Sequence, residues 1–134
     1  MQAQIIDTPG QDRFNILNEY YYNKCDSIIL AYDIINKQTF DECREYFCKK
    51  IKEKCNKNIR VILIGNKKDL ENNRQVSFKE ANDFALLNNY TYMEASCLRN
   101  ENVFELFEKI FEITLMEKKN ENKNNNNNNT CIIF

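Results

Sequence analysis

The sequence predicts an α/β fold: a mostly parallel sheet with helices flanking it. Two observations carry this. The runs Ile28-Ile29-Leu30-Ala31 and Val61-Ile62-Leu63-Ile64 are apolar, rich in β-branched residues and free of polar alternation, as in strands buried on both faces. Segments of helical period separate such runs, and a β-α-β-α order predicts parallel strands with helices on both sides. The chain has 134 residues, of which 43% are hydrophobic and 29% charged, enough for one domain with a core.

Taken in order, Gln4-Ile5-Ile6 reads as a first strand, ending at Asp7-Thr8-Pro9-Gly10-Gln11. Phe14 to Lys24 is expected to form a short, irregular helix carrying Tyr20, Tyr21 and Tyr22. Ser27 to Asp33 is a second buried strand. Thr39-Phe40-Asp41-Glu42 has the form of a capping box. It would open a helix with Phe40, Cys43, Phe47 and Ile51 inward, ending near Asn56. Ile59 to Ile64 is a strand ended by Gly65, with Asn66-Lys67-Lys68-Asp69 at its carboxyl end. Leu70 to Gln75 is a polar loop. Ser77-Phe78-Lys79-Glu80 is a second capping box, before a helix with Ala81, Phe84 and Ala85 inward. Tyr90 to Glu94 is a fourth strand, followed by Ala95-Ser96-Cys97. Asn100 or Asn102 caps a last helix whose apolar face is Val103, Leu106, Phe107, Ile110, Phe111 and Thr114. The domain is expected over 1–118. Residues 119–130, with an unbroken Asn run from Asn124 to Asn129, are too polar to pack and read as a disordered tether.

Composition excludes several chemistries. The net charge is −1 with a pI near 5.6, so no basic surface argues for nucleic acid. There is no histidine, which removes His-based acid–base chemistry, Ser-His and Cys-His nucleophiles and most zinc sites. No apolar run is long enough to cross a bilayer. Cys25, Cys43, Cys48, Cys55 and Cys97 show no Cys-x-x-Cys spacing and read as reduced, buried thiols.

In open α/β sheets ligands bind at the carboxyl ends of the strands. A carboxylate there, Asp69, can accept from the N1–H and 2-amino group of guanine. Adenine offers no such pair, and a mismatch of that kind discriminates by about 10⁴-fold or more. Asn66 can hold the base edge, and the methylenes of Lys67 can lie on the ring. Each motif alone has a plainer reading. Asn-Lys-Lys-Asp suits any solvated loop of an Asn- and Lys-rich chain, Asp-Thr-Pro-Gly is an ordinary turn, and Glu-Ala-Ser-Cys carries little signal.

Together, in this order, Asp7 to Phe14, Tyr21-Tyr22, Ile28 to Asp33, Asn66 to Asp69 and Glu94 to Cys97 resemble the Ras superfamily of small GTPases, and most of all its Rab branch. The resemblance runs from about Gln4 to Lys118. It implies a partial P-loop GTPase fold binding GTP or GDP with Mg²⁺. Asp7 would hold Mg²⁺ through a water. The amide of Gly10 would contact the γ-phosphate, and Gln11 would orient the attacking water, the catalytic role. Asn66, Lys67 and Asp69 would read guanine, with Ser96 and the amide of Cys97 at its O6. Exchange factors, GTPase-activating proteins, effectors and a prenyl-binding escort are implied as partners.

Departures from the pattern matter. Pro9 stands where the family has alanine, Ile6 where Rabs carry Trp, and Leu98 where a lysine usually lies on the base. No Gly-x-x-x-x-Gly-Lys-Ser/Thr occurs, and the only glycines are Gly10 and Gly65. Without that loop there is no amide cradle for phosphate. The first strand, P-loop helix, first switch and second strand of the family are missing. That first strand lies between the strands ending at Asp7 and Asp33, so a gap with two unpaired edges is expected there. The chain therefore reads as the C-terminal part of a GTPase, with Met1 an internal methionine. It is expected to keep the guanine half of the site and not to hydrolyse GTP.

Cys131-Ile132-Ile133-Phe134 has the form of a CaaX prenylation signal, Phe favouring geranylgeranyl. One lipid chain gives marginal membrane binding. The implied role is a switch in vesicle traffic on the cytoplasmic face of an intracellular membrane, with a cytosolic pool. The alternative is a non-catalytic, prenylated protein-interaction module.

Overall fold

The computed structural model describes residues 2–8, 20–55, 58–121 and 129–133. Five strands form one parallel sheet in the order β1-β5-β2-β3-β4, where β1 is Gln2–Ile6, β2 Ser27–Asp33, β3 Arg60–Asn66, β4 Thr91–Glu94 and β5 Asn129–Ile133. All neighbours pair in parallel. Every carboxyl end therefore lies on one edge, which gathers Asp7, Asp33, Asn66 and Ala95 onto a common rim.

The apolar runs are central, as their composition requires. Val61, Ile62, Leu63 and Ile64 are buried, and their side chains alternate between two cores. One core lies under Lys37–Lys54 and Phe78–Leu87 and holds Tyr32, Phe40, Cys43, Ile51, Leu63 and Ala81. The other lies under Val103–Glu121 and holds Ile29, Ile62, Ile64, Leu106 and Ile110. Helices thus cover both faces, as the strand pattern requires.

Three helix details differ from expectation. The first capping box is not a cap. Asn36, extended at φ −134°, accepts from Gln38 N and starts α1 (Lys37–Glu42). Thr39 lies inside the helix, and its hydroxyl accepts from Asp33 N at 3.0 Å. Asp33 Oδ1 accepts from Ile35 N, so the turn after β2 is tightened by side chains that compete for the local cap. A π-helical turn, Cys43–Phe47, then joins α1 to α2 (Cys48–Lys54), with Cys48 N bonded to the Cys43 carbonyl. The extra residue brings both Cys43 and Cys48 onto the core side.

Ser77 does cap α3 (Phe78–Leu87), accepting from Glu80 N at 3.1 Å. Asn102 immediately precedes α4 (Val103–Glu121). Its carbonyl accepts from Leu106 N, and its side chain is turned away to donate to the Glu94 carbonyl at 2.8 Å. Buried Thr114 on α4 is hydrogen-bonded to buried Ser27 on β2.

Further expectations are corrected. Gly65 does not end β3, which continues through it to Asn66. Leu70 to Gln75 is not all loop, because 3₁₀ turns over Lys68–Asn73 take in its first four residues. Cys97 is exposed, whereas Cys25, Cys43 and Cys48 are buried and all six thiols are free. Only the end of the predicted Phe14–Lys24 helix, a helical turn at Tyr20 to Tyr22, falls within the described residues.

The largest difference concerns the expected gap. Asn129–Ile133 occupies it, paired with β1 on one side and β2 on the other. The tether was expected to reach residue 130, but α4 continues to Glu121 and β5 begins at Asn129. Thr130-Cys131-Ile132-Ile133 is a β-prone run beside two open strand edges, and pairing satisfies backbone groups that would otherwise be stranded.

Candidate functional site

Two loops meet on the carboxyl rim. The first leaves β3 at Asn66. Lys67 adopts a left-handed backbone at φ 65°, which turns the chain sharply, and Asn66 Oδ1 accepts from Lys67 N at 2.8 Å. The second loop leaves β4 at Glu94. Ala95 N donates to the Gly65 carbonyl at 2.9 Å and Lys68 N to the Ala95 carbonyl at 3.0 Å, so backbone bonds stitch the loops together. Ser96 is fully buried. Its hydroxyl donates to Asp69 Oδ1 at 2.5 Å and accepts from Arg99 N at 3.1 Å. Its backbone exchanges two bonds with Glu101. Asp69 is thus aimed by a buried hydroxyl that is itself fixed.

The two loops thus bring Asn66, Lys67, Asp69, Ser96 and Cys97 together. Asp7 stands apart from them on the same rim. With Thr8 it lines a cavity of about 320 Å³ bounded by Ile28 to Ala31 of β2, by Thr39 and Glu42 of α1 and by Cys43 of the π-helical turn. Gly10 and Gln11 lie outside the described residues. Leu98 is largely exposed, projecting beside the loop pair.

Sequence reasoning missed the charges that hold this rim. Lys67 Nζ lies 2.5 Å from Asp33 Oδ2, tying the β3 loop to the end of β2. Lys68 pairs with Glu101, which raises the lysine pKa above its ordinary value. Glu94, buried at the end of β4, receives Arg74 Nη1 and Nη2 at 2.8 Å each and the Tyr92 hydroxyl at 2.6 Å. Tyr92 and Tyr32 hydroxyls are 2.7 Å apart. Arg74 also binds Glu71, whose carboxyl is held below its ordinary range by that hydrogen bond. Asp33 had a signal, since it ends a buried strand as Asn66 does. Arg74 had none, because it lies in a loop twenty residues from its partner.

Comparison with known proteins agrees with this arrangement. The Ras family model matches residues 1–116. The chain is 40% identical over 110 residues to "Ras-related protein Rab-1" of Theileria parva, covering 82% of this chain and 50% of that protein. It is 39% identical over 107 residues to "GTP-binding protein ypt2" of Schizosaccharomyces pombe, covering 80% and 53%. With "Ras-related protein Rab-4A" of Bos taurus it shares 38% over 107 residues, covering 80% and 49%. It spans about half the length of these relatives. A parallel sheet with its motifs on one rim, a family match over most of its length and these relatives together show that the chain belongs to the Ras family of small GTPases and is Rab-like.

Proposed function

We propose that the two stitched loops hold the base of a guanine nucleotide. Asp69 accepts from the base N1–H and 2-amino group, Asn66 braces its edge, Lys67 covers its face with methylenes, and Ser96 with the amide of Cys97 serves O6. The single observation that carries this is the buried Ser96 hydroxyl donating to Asp69. It presets the carboxylate before any ligand arrives, which lowers the ordering cost of binding.

The phosphate half fits less well. Among the described residues no group of three or more acidic, His or Cys side chains could hold a metal. Asp7 would be one water-mediated Mg²⁺ ligand and would need partners outside those residues. Gly10 and Gln11 carry the γ-phosphate and water-orienting roles in this reading. With no Gly-x-x-x-x-Gly-Lys-Ser/Thr loop in the sequence, the chain as it stands does not turn over GTP. In a fuller context the role is a Rab-type switch in vesicle traffic, with exchange factor, GTPase-activating protein and effectors as partners. Where Cys131-Ile132-Ile133-Phe134 ends the expressed chain, Cys131 takes a geranylgeranyl group that a prenyl-binding escort shields between membranes.

Amide chemical shifts of the isotope-labelled chain test the base reading. GMP should move Lys68, Asp69, Ser96 and Cys97, and AMP at equal concentration should not. Equal responses to both would overturn base recognition. Sub-micromolar affinity for a fluorescent GTP analogue, with turnover, would overturn the inactivity.

A further inference from the structure

Two cysteines distant in sequence meet on the side of the sheet opposite the carboxyl rim. Cys25 lies just before β2, in a turn where Lys24 N and Cys25 N both donate to the Tyr21 carbonyl, at 2.9 and 2.8 Å. Cys55 closes α2. Its amide donates to the Ile51 carbonyl at 3.0 Å, and its own backbone is already extended at φ −93°. Neither residue sits inside a helix or a strand, so each backbone can yield slightly without breaking a ladder of bonds.

The Cys25 and Cys55 thiols are hydrogen-bonded to each other. Cys25 belongs to the core that holds Tyr22 and Ile51, and Cys55 packs against it. Cys25 is buried and Cys55 half-buried, and both are free thiols. The Cys25 S–H has two acceptors, the Tyr22 carbonyl at 3.6 Å and the Cys55 sulfur. Donation to Cys55, with burial adding to it, holds the Cys25 pKa above its ordinary value, and the same bond holds Cys55 below its own. A partly exposed sulfur favoured as thiolate, backed by a buried thiol, suits an attacking and a resolving cysteine. The other buried thiols face oxygen instead. Cys43 Sγ lies 3.5 Å from the Ala31 carbonyl, and burial pushes it up to about 12. Cys48 Sγ lies 3.3 Å from Asn88 Oδ1 and 3.4 Å from the Tyr90 hydroxyl.

We propose that Cys25 and Cys55 form a reversible disulfide, a redox modification site in which Cys55 attacks, Cys25 resolves and a small disulfide such as oxidised glutathione is the oxidant. The Cys55 thiolate attacks one sulfur of the oxidant, breaks its S–S bond and releases one thiolate, leaving a mixed disulfide on Cys55. Cys25 then loses its proton to water, attacks the Cys55 sulfur and expels the second thiolate. Two protein thiols are oxidised by two electrons, and one small disulfide is reduced to two thiols. Hydrogen-bonded sulfurs have only to close to the roughly 2 Å of an S–S bond. The bond fastens the end of α2 to the chain entering β2 and so closes a covalent loop over β2, α1 and α2. Reversible bonds of this kind are the ones expected where thiols are otherwise kept reduced. The pair is independent of the base recognition proposed above.

Oxidation of the full chain with oxidised glutathione, followed by acid quenching, alkylation with N-ethylmaleimide under denaturing conditions and peptide mass mapping, tests this. A linked Cys25–Cys55 peptide, lighter by two hydrogens, should form and disappear with dithiothreitol, while Cys43 and Cys48 stay alkylated. Cys25→Ser should trap the glutathione adduct on Cys55. Cys55→Ser should leave Cys25 at least tenfold slower to react than Cys55 is in the unaltered chain. Exposed Cys97 takes glutathione in every variant and shows that the oxidant was active. Modified Cys97 without any Cys25–Cys55 link would refute the pair. So would a link from either residue to Cys131, or one between two copies of the chain. In Cys55→Ser, Cys25 reacting as fast as Cys55 normally does would refute the division of roles. Modification of Cys43 reports a variant that has lost its fold, and the unaltered chain still decides the pairing.

Discussion

Replacing Arg74 by Met should cost this domain about 3 kcal/mol, the lower part of the 3–5 kcal/mol typical when a buried charge loses its partner. Arg74 and Glu94 side chains are 15% and 7% exposed. They meet in two parallel bonds of 2.8 Å each. The Tyr92 hydroxyl would remain on Glu94, which keeps the loss near the low end. The limb to Glu71 adds little, since that carboxylate is 60% exposed and such pairs contribute about 0–1 kcal/mol. Domains of this kind are stable by about 5–15 kcal/mol, so the change is large. With a urea slope of about 1.5 kcal/mol per molar, the midpoint should fall by about 2 M. Circular dichroism at 222 nm during urea titration reads it. Glu94→Gln with Arg74→Met should lose less than the two single changes summed, by about 0.5–3 kcal/mol. The site is coupled, because Glu94 ends β4 and its carbonyl holds Asn102 before α4. Amide exchange at Ser96 should accelerate with Arg74→Met. A loss under 1 kcal/mol, or strict additivity in the double variant, would refute this account of the rim.

Three further outcomes follow from the same geometry. Ser96→Ala removes the bond to Asp69 and strands Arg99 N; it should cost about 2–3 kcal/mol and abolish the GMP-specific shifts while leaving the far-ultraviolet spectrum unchanged. Gly65→Ala would place a Cβ 2.9 Å from Ile34 Cγ2 and from the Tyr32 hydroxyl; both side chains are buried, so thermal unfolding should show a loss of about 1–3 kcal/mol. Burial pushes Tyr22 and Tyr32 up to about 12, while an unfolded tyrosine ionises near pH 10. Their contribution is therefore whole below about pH 10 and is lost as pH rises towards about 12. Absorbance at 295 nm should show a late-titrating tyrosine fraction, and urea midpoints should fall across that window; simple titration near pH 10 with constant midpoints would contradict the packing.

Much of the fold and the loop site could be read from the chain because local rules and the global fold agree there. Ile28 to Leu30 and Val61 to Ile64 have no polar alternation and can only be central strands. Ser77 with Glu80 is a true cap. The face Leu106, Ile110, Thr114 repeats at helical spacing and is buried. Asn66 to Asp69 starts on the last residue of β3 and Ala95 to Cys97 follows β4, and parallel strands bring such ends together. Other features depended on neighbours distant in sequence. Thr39 with Glu42 has the spacing of a cap, yet Asn36 takes that role once Asp33 engages the Thr39 hydroxyl. Arg74 is one polar residue among many until β4 delivers Glu94 beneath it.

By itself, then, the sequence determined the alternation of strands and helices, the parallel sheet and the two loops that meet over Asp69. Periodicity and strand ends are local quantities, and a chain carries them wherever it folds. Only the tertiary structure decided what lies between β1 and β2. Thr130 to Ile133 is as apolar as a lipidation signal and as β-prone as a strand, and no local rule chooses between them. Two open edges, an inward place for Ile132 and the carboxylate of Asp26 choose, and all three are supplied by parts of the chain about a hundred residues away.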